Sequence, residues 1–322
     1  MTRYAIGVDV GGTFTKLALV SDEGQIILKE RVPTSHADAP EPVMEHLISS
    51  IQKIKGQVEK EGCLVEGIGI GMPQFIEGEQ WIQRECNNMP ALEGYAMYPP
   101  LEAAFGPNIA MDNDVIASGL GEYHFGIGKG YGRVFFIAIG TGIGCAIFTE
   151  GGELVRYNYG AAGDIGMIIV DPHGMVPCTC GAKGCLETMA STLAIRRMGL
   201  EAVQCGKDTS LTEVFREKGD LEAQDVGQEA KKGDRVARDI IEEAGYFLGV
   251  ALTSYMHIFR PHIFLVGGGL AEAGELLLDP IRRTVHRLGS PFYLRQLKGI
   301  ERAKLGADAG MIGCASLILF RG

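Results

Sequence analysis

Two glycine turns and a pair of acids carry the chemistry open to this chain. Asp9-Val10-Gly11-Gly12-Thr13 closes an apolar run that starts at Tyr4, and Gly140-Thr141-Gly142 interrupts a second run from Phe135 to Phe148. Each reads as strand, glycine turn, strand. Such turns present backbone N–H groups with no side chain in the way, which is what a polyphosphate needs. One Gly-Gly turn marks a plain hairpin just as readily. Two of them, both with Thr beside the glycines and the first with Asp9 at its mouth, point to two loops gripping one nucleotide. A short apolar run, Ile109–Met111, ends in Asp112-Asn113-Asp114. A carboxylate carried to a strand end can take a proton from an attacking hydroxyl, and Asp114 is the candidate. The alternative is that Asp112 or Asp114 caps the helix that follows, and spacing alone leaves both open. Of the eight Cys, three crowd into Cys178, Cys180 and Cys185, a spacing that suits a metal better than a disulfide framework. Cys63, Cys86, Cys145, Cys205 and Cys314 sit among apolar residues and read as small core fillers.

Taken together these motifs resemble those of the ROK family of sugar kinases, within the actin/hexokinase-type ATPases. Asp9–Thr13 is similar to the first phosphate loop of that superfamily and Ile139–Gly144 to the second. Asn113-Asp114 resembles the family's catalytic pair, and Val266-Gly267-Gly268-Gly269 its adenosine-side glycine turn. Cys178-Thr179-Cys180-Gly181-Ala182-Lys183-Gly184-Cys185-Leu186-Glu187 resembles its zinc and sugar motif, the most specific string of the set. The matches run in the expected order from Gly7 to about Gly313. The resemblance implies an α/β protein of two ribonuclease-H-like/actin-like domains flanking a nucleotide and sugar cleft. It also implies ATP-dependent phosphorylation of a hexose or hexose derivative.

Phosphoryl transfer needs a base, a cradle for phosphates and a metal to spread charge. The resemblance makes Asp114 the base and gives Asp9 the task of holding Mg2+ through water. Gly11, Gly12, Thr13, Gly140, Thr141 and Gly142 then cradle the phosphates, and Gly268 and Gly269 line the adenosine pocket. Ordinary strand propensity accounts equally for Thr13, and a plain strand-to-helix turn for the two later glycines. Lys16 reads more simply as an exposed strand lysine than as a phosphate ligand. Sugar hydroxyls fall to Asn88, Asn113, Asp114, Asp164 and Glu187, because a carboxylate accepts hydroxyl protons in fixed directions.

The chain departs from the family pattern in three places. Gly-x-x-Gly-Glu-x-Gly-His becomes Gly160-Ala161-Ala162-Gly163-Asp164-Ile165-Gly166-Met167, and Gln74 replaces the second Gly of the string at Gly71-Met72-Pro73. Asp164 is one methylene shorter than Glu. Met167 cannot ligate zinc as an imidazole does, nor hydrogen-bond a hydroxyl strongly. Structural zinc is nearly always four-coordinate, so beside Cys178, Cys180 and Cys185 the fourth place falls to His173, to water or to nothing. Zinc is favoured over no metal. A Met wall also argues against routine glucose recognition and suits an acetamido methyl or a deoxy position. Arg84, in the polar stretch Trp81–Asn88, either faces a charged sugar or is an exposed loop Arg.

The elements that must position these residues follow from periodicity. Tyr4–Val10 and Phe14–Val20 form a hairpin and Gly24–Glu30 a third strand. Val43, Leu47, Ile51, Ile54 and Val58 recur at helical spacing within Pro40–Glu61. Strands at Val65–Gly71 and Ile109–Met111, and a small-residue helix Val115–Tyr123, complete a β-β-β-α-β-α-β-α half. Arg133 onward repeats the opening, followed by a helix from Asp234 to Ile258 and a strand at Ile263–Val266. Residues 1–118 with a returning helix 308–322 form one expected domain, and 119–307 the other. Cys205–Gly227 reads as a polar, variable stretch.

With 322 residues and 46% hydrophobic content, two full cores are available. A net charge of −10 makes nucleic acid and anionic membranes poor partners. No apolar stretch is long enough to span a bilayer, and Met1-Thr2-Arg3-Tyr4 leads straight into a strand, so a cytoplasmic protein without a signal peptide is expected. The family is commonly dimeric or tetrameric, which implies a homo-oligomer. Three rival readings stand beside the kinase: a sugar-responsive regulator, for which no helix-turn-helix precedes the first loop; an iron–sulfur ATPase, which the Cys spacing fits poorly; and a non-catalytic sugar-binding protein, suggested by Asp164 and Met167.

Overall fold

The computed structural model describes residues 2–60, 62–157 and 164–321. Chain order gives β1 (Tyr4–Val10), β2 (Phe14–Ser21), β3 (Ile26–Pro33), α1 (Pro40–Lys60), β4 (Val65–Met72), β5 (Phe75–Glu77), β6 (Ile82–Arg84), α2 (Tyr98–Phe105), β7 (Ile109–Asn113) and α3 (Asp114–Phe125). Next come β8 (Val134–Ile139), β9 (Ile143–Phe148), α4 (Leu186–Ala190), α5 (Thr192–Gln204), α6 (Leu211–Lys218), α7 (Ala223–Lys232) and α8 (Arg235–Phe259). They are followed by β10 (Ile263–Gly267), α9 (Glu275–Leu288), α10 (Pro291–Leu294), β11 (Gly299–Arg302) and α11 (Ala309–Leu319). These residues form an α/β protein of two compact units. One comprises 1–130, 154–162 and 304–322, the other 131–153 and 163–303. The boundary expected at Ser118 falls inside α3.

The first unit is built on a five-stranded sheet in the order β3-β2-β1-β4-β7. The opening hairpin is antiparallel, and β4 and β7 join it in parallel. Buried Val43, Leu47, Ile51, Ile54 and Val58 of α1 pack on one face with Ile6, Val8, Leu17 and Ile70. The other face takes α11 through Met311, Ile312, Ala315 and Ile318. That contact is backbone on backbone. A Cβ at Gly69 would stand 1.7 Å from the Cys314 carbonyl oxygen, and one at its strand neighbour Gly7 would stand 1.9 Å from that of Met311. Only glycine lets the helix lie this close.

The second unit has a four-stranded sheet, β11-β10-β8-β9. Its hairpin β8–β9 is antiparallel, and β10 and β11 continue in parallel. The pattern of a glycine hairpin extended by parallel strands thus occurs twice, as the repeated turns led one to expect. Phe135 stacks on Tyr255 of α8 at 5.1 Å between ring centroids, and the Tyr255 hydroxyl donates to the Ile165 carbonyl.

Several expectations need correction. The third strand starts two residues later than expected and runs on to Pro33, because its pairing with β2 rather than its own composition sets its ends. The Trp81–Asn88 stretch contributes to a short hairpin, β5–β6. Cys205–Gly227 holds α6 and most of α7; their polar faces hid an amphipathic pattern of low overall hydropathy. Cys205 is exposed rather than core. Among the described residues no helix is long and apolar enough to cross a membrane.

Candidate active site

In the first unit the carboxyl ends of β1, β4 and β7 lie side by side. Asp9 is in register with Gly71, and Gly71 with Asp112. Ligands of open α/β sheets gather at such strand ends. Asp9, near the end of β1, is ion-paired with its cross-strand neighbour Lys16 at 3.2 Å. Lys16 is therefore neither a free strand lysine nor an open phosphate ligand, and its ammonium also donates to the Ala307 carbonyl. The Asp9 carboxylate rests on the first turn of α11, where a Cβ at Gly310 would stand 2.5 Å from it. A helix N-terminus favours an anion at that spot.

The three residues after the β7 core divide their work. Asp112 is buried and paired with Arg156. Asn113 caps α3, its Oδ1 accepting from the backbone N–H groups of Val115 and Ile116. Its Nδ2 donates to the carbonyls of Met72 and Gln74. The cap expected of an aspartate is thus supplied by the asparagine between the two, and that amide is already engaged. Asp114 has no cationic partner among the described residues. Burial pushes its carboxyl up from 3.8 to about 7, the nearby Asp9 charge adds to the rise, and the Val115 N–H opposes it. A carboxylate held there is suited to taking a proton at neutral pH. Beneath this group lies Cys314, fully buried, its thiol pushed well up by burial and by the charges of Asp9 and Asp114.

The first glycine turn closes on itself through Gly11 N–H to the Phe14 carbonyl, 3.1 Å. Gly12 and Thr13 are exposed. Asn88, also exposed, lies beside Gly12, within 4 Å of where its Cβ would be. Thr34, just past β3, donates its hydroxyl to the Gly11 carbonyl at 2.7 Å and its N–H to the Thr13 carbonyl at 3.0 Å. Nothing in the sequence marks Thr34 or Gly310, since each meets its partner only after folding. Arg84 reaches Glu77 across the β5–β6 hairpin at 2.7 Å, which accounts for its charge. Gln74 is buried, and neither atom of its amide has a partner among the described residues.

The second unit assembles its own group. Gly140 N–H donates to the Gly142 carbonyl, 2.9 Å, and Thr192 N–H to the Gly140 carbonyl, 2.8 Å. Glu187 Oε2 accepts from Ile143 N–H at 3.0 Å and stands 2.8 Å from where a Cβ at Gly142 would be. Glu187 therefore braces the glycine turn. Gly268, at φ +83°, lies against the backbone of Ile139, where a Cβ would meet it at 2.4 Å. The later glycine run and the second turn are thereby brought together, and Gly269 opens onto free space. Asp164 and Met167 are both exposed. Gly160–Gly163 lie outside the described residues.

Cys178, Cys180 and Cys185 hold their sulfurs within 4.8 Å of one another, with Cys180 and Cys185 at 3.6 Å. Thiolates at about 2.3 Å from a tetrahedral zinc stand about 3.8 Å apart, so the spacing fits that ion. Backbone N–H donation, with the Ala182 amide foremost, lowers the Cys180 thiol. Burial raises that of Cys185 to about 12. His173 is exposed and lies outside this group.

The ROK family profile matches residues 5–320. A glucokinase of Halalkalibacterium halodurans is 34% identical over 319 residues, covering 98% of this chain and 95% of the relative. A ROK family glucokinase from Streptomyces griseus, solved in complex with glucose and AMPPNP, superposes with a TM-score of 0.80 at 30% identity, covering 98% of both chains. A ROK family transcriptional regulator, a homologue of the E. coli MLC protein, gives 0.86 at 27% identity, covering 98% of this chain and 77% of that one.

Proposed function

The chain belongs to the ROK family, and from that premise we propose that it transfers the γ-phosphoryl group of ATP to a hydroxyl of a hexose or hexose derivative. The observation that carries this reading is Asp114. It is a carboxyl raised to about 7 on the same strand-end rim as Asp9, next to a glycine turn in which Gly12 and Thr13 are exposed. Asp114 takes the proton of the attacking hydroxyl. Asn113, through its cap, sets where Asp114 begins the helix, and it borders the sugar together with Asn88, Asp164 and Glu187. Gly11, Gly12, Thr13, Gly140, Thr141 and Gly142 supply donors to the phosphates. Gly268 and Gly269 border the adenosine.

Asp9 fits Mg2+, which is commonly held by one or two carboxylates with substrate phosphates and water. When bound, that ion spreads the charge of the polyphosphate. Cys178, Cys180 and Cys185 fit a structural zinc, with its fourth ligand from outside the described group. Met167 in place of the family's imidazole favours a sugar with an apolar substituent over plain glucose. A cytoplasmic homo-oligomer accords with this role.

Coupled detection of ADP across hexoses, N-acetylhexosamines and polyols tests the reading. One strong substrate is expected. A flat panel with ATP still bound would refute the kinase and leave a sugar-binding regulator.

A further inference from the structure

The two glycine turns share a device. In each, the carbonyl of the first glycine is tied down: Gly11 by the Thr34 hydroxyl at 2.7 Å, Gly140 by the Thr192 N–H at 2.8 Å. A trans peptide is planar, with its C=O and N–H pointing opposite ways. Tying the Gly11 carbonyl inward therefore turns the Gly12 N–H outward, and tying that of Gly140 does the same for Thr141. Gly12 and Thr141 are both exposed. A glycine turn has too little side chain to fix its own peptide planes, so an outside clamp decides which way its donors face.

In the second unit the clamp is backbone, but in the first it is a side chain. The Thr34 hydroxyl also shares a hydrogen bond with the buried Thr15 hydroxyl, 3.0 Å, and the Thr34 N–H holds the Thr13 carbonyl, 3.0 Å. The residue before it is anchored too, since the His46 ring meets the Pro33 carbonyl at 2.8 Å. We propose that Thr34 is a positioning residue for the nucleotide: by holding the Gly11 carbonyl, its hydroxyl aims the Gly12 N–H at the polyphosphate. This rests on the nucleotide role given above to the first turn. Donors fixed in advance stabilise developing charge with no reorganisation at the moment of reaction, and loss of one such donor costs about a hundredfold or more. A donor that is misaimed rather than removed should cost less, about tenfold to a hundredfold.

Thr34→Val keeps the shape and removes the hydroxyl, and Thr34→Ser restores it. The expected result is a fall of that size in kcat/KM for ATP in Thr34→Val, an unchanged KM for the sugar, and recovery in Thr34→Ser to within about threefold of wild type. ATP binding by calorimetry should weaken in Thr34→Val and recover in Thr34→Ser. Wild-type ATP kinetics in Thr34→Val would overturn the proposal. So would equal losses in both variants, which would mean the side chain acts by shape, and so would parallel changes in both KM values, which would mean the fold has loosened. Should Thr34→Val not fold, Thr34→Ala carries the same expectation. Failure of the wild type to turn over any sugar would refute the kinase reading instead, and the calorimetric comparison would still decide the role of Thr34.

Discussion

The sharpest consequence of the geometry concerns the pH at which this protein works. Asp114 is raised from 3.8 to about 7 by burial first and by the charge of Asp9 second. A base must be ionised to act, so about a tenth of the molecules are competent at pH 6 and about nine tenths at pH 8. The value of kcat/KM, measured at fixed MgATP concentration, should then fall about tenfold between pH 8 and pH 6. A carboxylate of ordinary pKa would give no change over that range. Asp114→Asn should lose a factor of about a hundred to ten thousand and its residual rate should not follow this profile. Asp9→Gln would also remove the carboxylate assigned to Mg2+, so the cleaner companion is the stability of Asp114→Asn. A carboxyl whose folded pKa is raised favours the fold in its protonated form. Wild-type stability therefore gains as pH falls through 7 towards 4, and Asp114→Asn lacks that gain. The variant should melt above wild type at pH 8, with the difference shrinking by pH 5. A flat kcat/KM profile between pH 6 and 8, or near-wild-type turnover in Asp114→Asn, would refute Asp114 as the base.

Three further outcomes are expected. Gly310→Ala places a methyl 2.5 Å from the Asp9 carboxylate. Ala would otherwise stabilise a helix by about 1 kcal/mol, so a lowered Tm with at least tenfold lower kcat is expected, and a raised Tm would show that Asp9 moves freely. Cys180→Ser should remove zinc, read by atomic emission, and lower Tm while leaving ATP affinity unchanged; unaltered metal content would argue against the site. Gln74→Met exchanges a buried amide with no partner among the described residues for an apolar chain of similar length. It should gain about 1 kcal/mol in thermal unfolding, whereas a loss would mean that the amide has found a partner.

Much of the fold was legible in the chain because its signals are local. The strand–glycine turn–strand pattern at Asp9–Thr13 and Gly140–Gly142 marked both hairpins, and helical spacing from Val43 to Val58 marked α1. The second repeat of the pattern announced two related halves. The limits of β3 and the helices within 205–227 were not legible, since pairing with β2 set the former and weak hydropathy masked the latter.

The site divides along the same line. Residue type and spacing determined by themselves which groups are present: the glycine turns, the Asp112-Asn113-Asp114 run and the three Cys, whose sulfurs the fold then gathers. Tertiary structure alone decided what each group is free to do. Arg156 comes from a distant segment to neutralise Asp112, and Asn113 takes the helix cap, so Asp114 is the acid left with a raised pKa. Lys16 is paired with Asp9 across the hairpin, Glu187 braces the second turn through one carboxylate oxygen, and Thr34 clamps the first. The physical reason is range. Backbone propensity is read within a few residues, whereas burial, charge pairing and hydrogen-bond direction depend on which distant groups the packed chain brings within about 3–4 Å.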